Sequence, residues 1–585
     1  MKLAKTGNFL VVSGMTESQY YRILRVIKDE PGMRYHSQWH AFMIPARIRV
    51  YEKLTEISDL AVDPRLIKDV AFAKRERADL PDALRLVEKV RAMKEYDFRG
   101  YKFKTTPWEH QKRGVKLLAN CKCLALLWDM RTGKTFAVAN TIQYLKYMGQ
   151  PHKTLVICPK HIRINWVEDV QKHTDLKCLV LGNGTSQQLK RLQSADTITV
   201  VDGPKVSMRP GKPDLFITNT DAIRNKAFCK ALAEFGFDIA VADESHCFAN
   251  NTKRTHGLME IKRRVERRYI MTGTLVPKDP SGAYNQMRFV NSSLFPETLE
   301  EFKAKYCVYK NVGGREIFLR VNPRTKAELW SRIDRLADKV RIEDCHDMPE
   351  KLYTTVDVDL SPEQEVAHSK LLEELCVEID QGCIATTTLL KSRKLTQVTS
   401  GFLYDEEKKS HRFKTNPKLE ALRDILVQVA KENRKIIVWA YFHESILMIQ
   451  ELLIEMEIGH SVISGKDDKL TMDERFERLW NFQHKKEATV ILANPAMLGL
   501  GVDLSVAKYS VFFENDFRLD FRIQAEARNY GDKAKALHGG RIVIYDILAR
   551  NSIDLLVKKA ISCKKNFLDY INAKRLKELK GGFDE

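Results

Sequence analysis

The sequence predicts an α/β protein with two parallel-sheet lobes in tandem, preceded by a small α+β domain at the N-terminus. The first observation is the length of 585 residues, which exceeds what one hydrophobic core supports. The second is that short apolar runs alternate with amphipathic stretches in two separate series, one before and one after the middle of the chain. Such alternation is typical of βαβ units, which form parallel sheets.

The first 62 residues predict the small α+β domain. A strand is predicted for NFLVVSG, and Thr16 with Gln19 forms a capping box at the start of the next helix. The run PGMRYHSQWHAFMIP alternates like a hairpin, and a closing helix follows it to about Ile57. Residues 63–100 are charged and helical in pattern, so we interpret them as a helical connector.

Each predicted lobe contains a series of short strands. Residues 101–310 form the first lobe, with the strands CLALLWD, KTLVICP, DLFITN, DIAVADE and RRYIMTG. Residues 311–425 predict a helical linker and insertion. Residues 426–557 form the second lobe, with the strands RKIIVWAYF, HSVISG, ATVILANP, YSVFFEN and RIVIYDIL. Residues 558–585 predict a basic helical tail, which is either solvated or, as the minority interpretation, a DNA contact.

The charge balance favours a polyanionic partner. Lys and Arg number 97 against 77 Asp and Glu, which gives a formal net charge of +20. Such an excess is typical of proteins that bind nucleic acid, although scattered surface lysines would produce the same sum.

The cysteines and the apolar runs predict the cellular compartment of the protein. The 11 cysteines are spread singly with no CxxC pair, which favours free thiols over disulfides or a zinc site. The N-terminal apolar run is too short for a signal peptide, and no stretch reaches the length of a membrane span. We therefore expect a protein of the bacterial or phage-infected cytoplasm, or of the nucleus in a eukaryote, with no membrane partner.

The stretch LLWDMRTGKTFAVANTIQYL joins a strand, a tight turn and a helix around Gly133, Lys134 and Thr135. Gly133 lets the backbone approach phosphate, Lys134 supplies a charge for the β- and γ-phosphates, and Thr135 offers a hydroxyl to Mg²⁺. The full phosphate-loop pattern needs a glycine five positions before Gly133, where Trp128 stands. A chance GKT in a βα turn is therefore the alternative to a phosphate-binding loop.

A second motif, VADESHCF, decides between these interpretations. It places Asp243 and Glu244 at the end of an apolar strand. Asp243 can hold Mg²⁺ through water, and Glu244 can orient and deprotonate the attacking water. Two acids at the buried end of a strand are costly unless they bind something. The GKT loop followed by this acidic pair predicts nucleotide hydrolysis.

Further motifs, in order, make the pattern specific. TTPWEHQKRGVKLL precedes the loop, VICPKHIRINW, ITNTDAIR and MTGT accompany DESH, and KIIVWAYFHES, ILANPAMLGLGVDL and RIQAEARNYGDK occupy the second series. From about residue 103 to 557 the chain resembles a superfamily 2 helicase-type motor, most closely the SNF2 branch of DNA translocases. The resemblance implies a DNA-dependent ATPase in which two RecA-like lobes bind ATP in their cleft and pass DNA along a groove.

The resemblance assigns a role to each matching residue. Gln111 would read the adenine edge with Trp108 nearby, and Gln524 and Arg528 would reach the γ-phosphate from the second lobe. The residues expected to bind ATP are Trp108, Gln111, Arg131, Thr132, Gly133, Lys134, Thr135, His246, Gly501, Asp503, Gln524 and Arg528. The expected catalytic residues are Lys134, Asp243, Glu244 and Arg528, and the expected Mg²⁺ ligands are Thr135 and Asp243. His246, Thr272 and Thr274 would couple hydrolysis to lobe movement.

The sequence departs from the family at two positions. The family has two arginines spaced three apart in the last motif, and the second position here is Gly531. Three alternatives stay open: Arg528 acts alone, Arg518 or Arg522 substitutes, or hydrolysis is slow. Arg131 stands where the family usually has glycine, and it either contacts phosphate or faces solvent.

The resemblance also implies a DNA strand along both lobes. The expected strand contacts are Lys160, Arg163, Thr218, Asn219, Tyr441 and Phe442. Phosphate contacts carry no sequence information, so we expect sequence-tolerant binding of duplex or branched DNA. Trp166 is interpreted as a core residue, with strand contact as the alternative. The basic run from Lys262 to Arg268 faces either DNA or solvent, and nothing local decides between them.

The N-terminal domain carries a second resemblance. PGMRYHSQWHAFMIPARIRVYEKL is similar to the HARP-type module of annealing helicases and to a related fold in phage branch-remodelling helicases. The features that it shares are Pro31, Gly32, Tyr35, Trp39 and Pro45. The alternative is a generic appendage in which Trp39 and Phe42 fill a small core.

These observations favour a monomeric ATP-dependent DNA translocase or helicase that remodels branched or forked DNA. Annealing or branch migration in replication, recombination or repair would be its task. Two alternatives remain: a duplex translocase that displaces proteins such as RNA polymerase, and a nucleotide-switched DNA clamp with weak turnover. An RNA helicase is a further alternative, which the SNF2-like motif set disfavours.

Overall fold

Alternating strands and helices build both halves of the chain in the computed structural model. It describes residues 1–563 except 7–8, 274, 277–278, 297, 313–314, 346–347, 381–384, 408, 465–471, 499–501 and 516. The chain divides into two compact units, the first Met1–Thr199 with Met208–Ile342, the second Val200–Ser207 with the described residues from Glu343 onward. The predicted basic tail therefore lies, from residue 564, outside the described residues.

The N-terminal domain is a five-stranded sheet with two helices. Its elements are β1 (Lys2–Thr6), β2 (Phe9–Ser13), α1 (Glu17–Ile27), β3 (Arg34–His36), β4 (Ala41–Pro45), α2 (Ile48–Thr55) and β5 (Ala61–Val62). The strand order is β3-β4-β2-β1-β5, and the predicted capping box between Thr16 and Gln19 is present at the start of α1. The long helix α3 (Pro64–Arg91) follows and begins at the N-cap Asp63.

Residues 109–340 surround a nine-stranded sheet. Its elements are α4 (Glu109–Asn120), β6 (Cys123–Trp128), α5 (Lys134–Tyr147), β7 (Thr154–Cys158), α6 (Arg163–His173), β8 (Cys178–Val180), α7 (Thr185–Ser194), β9 (Thr197–Asp202), β10 (Lys205–Pro210), β11 (Leu215–Asn219), α8 (Lys226–Glu234), β12 (Ile239–Asp243), α9 (Lys253–Lys262), β13 (Arg267–Met271), α10 (Ser281–Val290), α11 (Leu299–Tyr306), β14 (Cys307–Val312), β15 (Arg315–Val321), α12 (Lys326–Arg335) and β16 (Ala337–Val340). The order is β10-β9-β8-β11-β7-β12-β13-β6-β16, parallel from β8 to β16.

The second unit surrounds a six-stranded sheet. Its elements are β17 (Glu350–Val358), α13 (Pro362–Asp380), α14 (Ala385–Thr399), β18 (Phe402–Tyr404), β19 (Ser410–Arg412), α15 (Pro417–Lys431), β20 (Lys435–Trp439), α16 (His443–Glu455), β21 (His460–Ile463), α17 (Met472–His484), β22 (Val490–Ala493), α18 (Pro495–Leu498), β23 (Ala507–Phe512), α19 (Leu519–Glu526), α20 (Asp532–Leu537), β24 (Arg541–Ala549) and α21 (Ile553–Ser562). The order is β17-β24-β23-β20-β22-β21, parallel throughout.

The predicted fold class is confirmed, because two parallel α/β sheets follow a small α+β domain. The structure differs from the prediction in the segment 311–425, which is not all linker. Strand β16 pairs with β6 in the first sheet, and β17 pairs with β24 in the second. Both pairings join segments far apart in the chain, so local periodicity does not reveal them. Among the described residues, no helix is long and apolar enough to cross a membrane.

Candidate nucleotide and nucleic-acid sites

The GKT segment forms a tight loop between β6, which ends at Trp128, and α5, which begins at Lys134. Gly133 has a φ of 81°, and a Cβ atom added to it would overlap the Nε2 atom of Gln111. Glycine is therefore required here by both backbone conformation and space. The first N–H groups of a helix lack intrahelical partners, so this end of α5 suits a phosphate group.

The loop before Gly133 is held in an unusual conformation. Arg131 has a φ of 66°, in the left-handed region that disfavours side chains. The carbonyl of Thr132 accepts a hydrogen bond from Nε2 of His110 at 2.7 Å, and its Oγ1 donates to the carbonyl of Asp129 at 2.8 Å. Strained backbone of this kind concentrates at functional sites. Phosphate contact by Arg131 stays a prediction.

The start of α4 supports the loop. Gln111 is buried, its Oε1 accepts from the backbone N–H of Trp108 at 3.0 Å, and its Nε2 donates to the carbonyl of Thr132 at 3.3 Å. Trp108 is 39% exposed. The structure therefore brings Gln111 into contact with the loop, while its amide bonds to backbone. Adenine recognition by Gln111 and Trp108 stays a prediction.

Lys134 and Thr135 occupy the first two positions of α5. The ammonium group of Lys134 donates to the carbonyls of Trp128 at 2.9 Å and Asp129 at 3.0 Å, so the side chain folds over the loop. Thr135 is half-buried in the first turn of the helix. A lysine on the loop and a hydroxyl at the helix start are the groups that a phosphate site with Mg²⁺ uses.

Asp243 is the last residue of β12, and its side chain is buried. Its Oδ2 accepts from the indole Nε1 of Trp166 at 2.8 Å, and its Oδ1 accepts from the backbone N–H of Glu244 at 2.8 Å. Burial raises the pKa of Asp243 to about 7, the charge of Glu244 adds to this rise, and the Trp166 bond and Lys134 oppose it. Strands β6 and β12 both pair in parallel with β13, so the loop that carries Lys134 and the end of β12 that carries Asp243 lie at the same edge of the sheet.

A buried carboxylate with a raised pKa fits a bound cation, because a nearby positive charge would stabilise its ionised form. Across the ranges that the structure describes, no group of three His, Cys, Asp or Glu side chains could hold a metal. Mg²⁺ in nucleotide sites needs only one or two protein groups beside the substrate phosphates. Asp243 and Thr135 therefore fit the predicted Mg²⁺ ligands, and the cation would supply charge neutralisation for phosphoryl transfer.

Glu244 and His246 interact directly after β12. Glu244 has a left-handed backbone with a φ of 47°, and Nδ1 of His246 lies 3.3 Å from its Oε2. Burial would lower the pKa of His246, but hydrogen bonds with Cys247 and Glu244 and the charge of Glu244 raise it to about 10. The imidazolium of His246 therefore pairs with the Glu244 carboxylate that is predicted to orient water, and a movement of either side chain would change the position of the other.

The segment after β13 lies beside the loop. The backbone N–H of Thr272 donates to the carbonyl of Leu126 at 3.1 Å, and Thr272 is fully buried. A Cβ atom on Gly273 would lie 3.6 Å from the carbonyl oxygen of Trp128. This packing places the first predicted coupling residue next to the nucleotide loop. Thr274, the second, lies outside the described residues.

Three of the predicted strand contacts in the first unit are not exposed. Arg163 is fully buried and donates to the carbonyl of Gly182 at 2.6 Å and to Oδ1 of Asn183 at 2.7 Å. Thr218 donates to Oε1 of Gln188 at 3.1 Å, and Asn219 accepts from two backbone N–H groups of the next turn. The polar atoms of these three residues therefore stabilise loops in this structure, and their contact with a DNA strand stays a prediction. Lys160 is exposed just before α6 and remains a strand-contact prediction.

The strand-contact candidates of the second unit follow β20. Tyr441 is half-buried, and its hydroxyl accepts from Nη2 of Arg393 at 3.1 Å. Phe442 is buried and packs against Phe402, which leaves it little surface for a strand. The carboxylate of Glu514 accepts from the backbone N–H groups of both residues at 2.7 Å. Sequence reasoning missed Glu514, although it lies in the predicted strand YSVFFEN.

Arg528 is buried within the second unit. Its Nε donates to the carbonyl of Gln524 at 2.9 Å and its Nη1 to that of Val502 at 3.3 Å. Gln524 is buried as well, whereas Asp503 is exposed and accepts from Ser505. Contact of Arg528 and Gln524 with the γ-phosphate stays a prediction. Gly501 lies outside the described residues.

The last motif distinguishes the two candidate substitutes for the missing arginine. Gly531 is extended, with a φ of 161° that other residues also adopt. Arg522 is buried in ion pairs with Asp546 at 2.5 Å and Glu526 at 2.6 Å, so its guanidinium holds this unit together. Arg518 is exposed and lies 3.8 Å from the ring centroid of Phe521. The structure therefore disfavours Arg522 as the substitute.

The N-terminal domain exposes aromatic side chains. Trp39 is 65% exposed and stacks on the ring of His36, with centroids 4.1 Å apart. Tyr21 is 59% exposed and Tyr35 is 39% exposed, and both rings pack against Tyr20. Phe42 is buried, so the expectation of a core made by both Trp39 and Phe42 holds for Phe42 alone.

Comparisons with known proteins agree with the motif order. Residues 110–411 match the SNF2-related domain model, and residues 417–530 match the helicase conserved C-terminal domain model. The chain is 21% identical to Protein CHROMATIN REMODELING 4 of Arabidopsis thaliana, over 79% of this chain and 21% of that protein. It is 24% identical to an uncharacterized ATP-dependent helicase of Mycoplasma genitalium, over 80% of this chain and 44% of that protein.

The chain thus spans about one fifth and less than half of the lengths of these two relatives. A Sulfolobus solfataricus SWI2/SNF2 ATPase core, solved in complex with dsDNA, aligns with a TM-score of 0.36 and 19% identity, over 82% of this chain and 96% of that chain. The SNF2-related domain model alone matches about half of the 585 residues. The chain therefore belongs to the SNF2-related domain family and carries a helicase conserved C-terminal domain behind it.

Proposed function

We propose that this chain is an ATP-dependent DNA translocase or helicase that remodels branched or forked DNA. The observation that carries the proposal is the single site in the first unit that contains Lys134, Asp243 and Glu244. A lysine on a glycine loop and an oriented acidic pair are the groups that hydrolyse a nucleoside triphosphate. Family membership supports ATP as the nucleotide and Mg²⁺ as the cation.

Each residue of the site has a proposed task. Lys134 leaves the loop carbonyls to bind the β- and γ-phosphates, and Thr135 with Asp243 holds the cation. Glu244 orients the attacking water and accepts its proton, while its pair with His246 makes the carboxylate sensitive to movement of this segment. Arg528 is proposed to stabilise the charge that develops on the γ-phosphate, which requires it to exchange its present backbone bonds for that contact.

The N-terminal domain supports branched DNA as the substrate. Its exposed Trp39, Tyr21 and Tyr35 offer flat rings, and unpaired bases at a fork stack on such rings. The HARP-like resemblance points to the same substrate. The net charge of +20 favours a polyanion in general and explains why binding would tolerate any sequence.

A nucleotide-switched DNA clamp is the second candidate. Arg528 and Arg522 are both buried and bonded within their own unit, and Gly531 brings no charge. Slow turnover would follow if no arginine reaches the nucleotide.

The deciding experiment is steady-state ATP hydrolysis without DNA and with matched single-stranded, duplex, forked and four-way DNA. We expect forked or four-way DNA to stimulate hydrolysis most, and Lys134→Ala to abolish it. Trp39→Ala is expected to remove the preference for branched DNA but to leave stimulation by duplex DNA.

Tyr147→Ala is the control for Trp39→Ala, because Tyr147 is a similarly exposed ring outside the N-terminal domain. Equal stimulation by plain duplex would favour the alternative that displaces bound proteins such as RNA polymerase. Tight DNA binding with no stimulation by any DNA would contradict the translocase and leave the clamp.

A further inference from the structure

Trp166 links α6 to the carboxylate of Asp243. The indole ring is 2% exposed, and its Nε1 donates to Oδ2 of Asp243 at 2.8 Å. A buried indole N–H needs an acceptor, and this acceptor is the residue that fits a Mg²⁺ ligand. The hydrogen bond therefore provides the buried indole N–H with an acceptor and also restrains the carboxylate of a proposed catalytic residue.

Two hydrogen bonds fix the orientation of the Asp243 carboxylate. Trp166 occupies one lone pair of Oδ2, and the backbone N–H of Glu244 occupies one lone pair of Oδ1. Each oxygen of a carboxylate has two lone pairs, so each keeps one for a further partner. Removing the indole bond would free the carboxylate to rotate and would leave Oδ2 buried without this donor.

The donor itself is held in place. Arg163, one helical turn before Trp166 on α6, donates to the carbonyl of Gly182 and to Asn183, while its Nε donates to the carbonyl of Lys160 at 3.1 Å. These bonds anchor the start of α6 to the turn that follows β7 and to the loop after β8. The indole N–H therefore approaches Asp243 from a fixed direction.

We propose that Trp166 is a positioning residue that orients Asp243 for the cation of the bound nucleotide. This inference rests on the proposed function. Hydrogen-bond partners that orient a metal ligand typically contribute 10–100-fold to metal affinity or activity. We expect an effect of about 10-fold or more here, because only one of the two bonds that orient the carboxylate is lost.

The test replaces Trp166 with Phe, which retains an aromatic ring and removes the N–H. Trp439→Phe is the matched control, because Trp439 is also fully buried and its Nε1 donates to Oγ of Ser510 at 2.9 Å in the second unit. Mn²⁺ binding in the presence of ADP, measured by electron paramagnetic resonance, reports the cation site directly. Hydrolysis at increasing Mg²⁺ gives kcat, and the KM for ATP is measured at saturating Mg²⁺.

We expect Trp166→Phe to weaken Mn²⁺ binding about 10-fold or more and to lower kcat, with little change in the KM for ATP. Trp439→Phe is expected to retain wild-type Mn²⁺ binding. If Trp166→Phe fails to fold, site-specific benzothienylalanine at position 166 removes the N–H in a ring of nearly the same shape. Wild-type Mn²⁺ affinity in Trp166→Phe or in the benzothienylalanine variant would overturn the inference. Equal losses of Mn²⁺ affinity in Trp166→Phe and in the Trp439→Phe control would also overturn it.

The proposed function fails separately from this inference. If the wild-type chain hydrolyses no ATP with any DNA, the proposal of a translocase is contradicted. Mn²⁺ binding would still test the positioning role of Trp166 in that case. A wild-type chain that binds neither ADP nor Mn²⁺ would contradict both. An active wild-type chain with an unaffected Trp166→Phe variant would contradict the positioning role alone.

Discussion

Gly133 shows how one position serves both the backbone and a neighbouring side chain. Its φ of 81° lies in the left-handed region, and Gln111 occupies the space that a Cβ atom would need. Gln111 in turn bonds to Trp108 and Thr132, so the loop and α4 determine each other's shape. Glycine is therefore required at position 133 partly because the side chain of Gln111, 22 positions earlier in the chain, fills the neighbouring space.

Gly133→Ala is expected to weaken nucleotide binding at least 10-fold, about 1.4 kcal/mol, because Gln111 must move and release the loop. Gly184→Ala is the control, since Gly184 has a φ of 84° and no atom within 4 Å of an added Cβ. Both variants should lose stability because alanine is strained at a positive φ, by about 1–2 kcal/mol at Gly133 in the left-handed helical region and by about 1–3 kcal/mol at Gly184, whose ψ is 144°. Binding of a fluorescent ATP analogue separates them, and equal affinity in the two variants would contradict the role of the Gln111 contact.

Helix α3 is joined to the first sheet by a buried ion cluster. Glu76 lies on α3, and its carboxylate pairs with Lys262 and Arg268, each at 2.8 Å. Both cations lie 5.5 Å from the ring centroid of Phe72. Burial lowers the pKa of Lys262 to about 7, against the opposing charge of Glu76. Two members of the predicted basic run thus face neither DNA nor solvent but hold α3.

Glu76→Gln is expected to lower the free energy of unfolding by about 3–5 kcal/mol, because it leaves two buried cations without their carboxylate. Asp82→Asn on the same helix is the control. Asp82 pairs with Arg85 at 3.3 Å, but both side chains are more than three quarters exposed, so its loss should cost under about 1 kcal/mol. Urea unfolding measures both, and similar losses would show that the Glu76 cluster contributes no more than a surface pair.

Each of the two units contains a histidine that burial keeps neutral. Burial, with Lys172 and Lys104, lowers the pKa of His173 to about 4. Burial also lowers the pKa of His368 to about 4, against the charge of Asp554. The backbone N–H of Ile553 donates to Nε2 of His368 at 3.4 Å, which requires this nitrogen to be unprotonated. Protonation would therefore break a bond as well as bury a charge.

The two histidines are expected to lower the stability of the chain as the pH falls from about 6.5 toward 4, whereas Asp243, with its raised pKa of about 7, contributes in the opposite direction over the same range. The unfolded state takes up protons near the ordinary histidine pKa of 6.5, whereas the folded state takes them up near 4, so acid favours unfolding in this window. At about 1.4 kcal/mol per pKa unit, the buried His368 contributes at most about 3.5 kcal/mol, and the half-buried His173 contributes less because solvent screens its charge. Urea unfolding at pH 7.5, 6 and 5 measures the loss.

The variants His173→Gln and His368→Gln identify the groups responsible. Each should be less stable than wild type at pH 7.5 but should lose less stability on acidification, because glutamine does not titrate. His152→Gln is the control, since the side chain of His152 is 29% exposed and its ring nitrogens lie 3.3 Å from the carboxylate of Asp214 and 3.0 Å from the carbonyl oxygen of Gln150. An unchanged pH dependence in both variants would contradict the assignment.

Much of the architecture and of the nucleotide site could be predicted from the residues alone. The strand and helix alternation, the capping box at Thr16, and the placement of Lys134 at the start of a helix and of Asp243 at the end of a strand all depend on patterns within a few neighbouring positions. The sequence also identified Trp166 as a core residue. Local pattern suffices in these cases because hydrogen bonding within a turn and side-chain periodicity act over short chain distances.

Only the tertiary structure decided how the polar and aromatic side chains are used. It buried Arg163, Thr218 and Asn219, placed Trp39 on the surface, joined β16 and β17 to different sheets, and connected Trp166 to Asp243. An arginine that binds phosphate and one that holds a loop look alike in sequence. The difference is set by partners far away in the chain, because burial and hydrogen bonding depend on what the fold brings together.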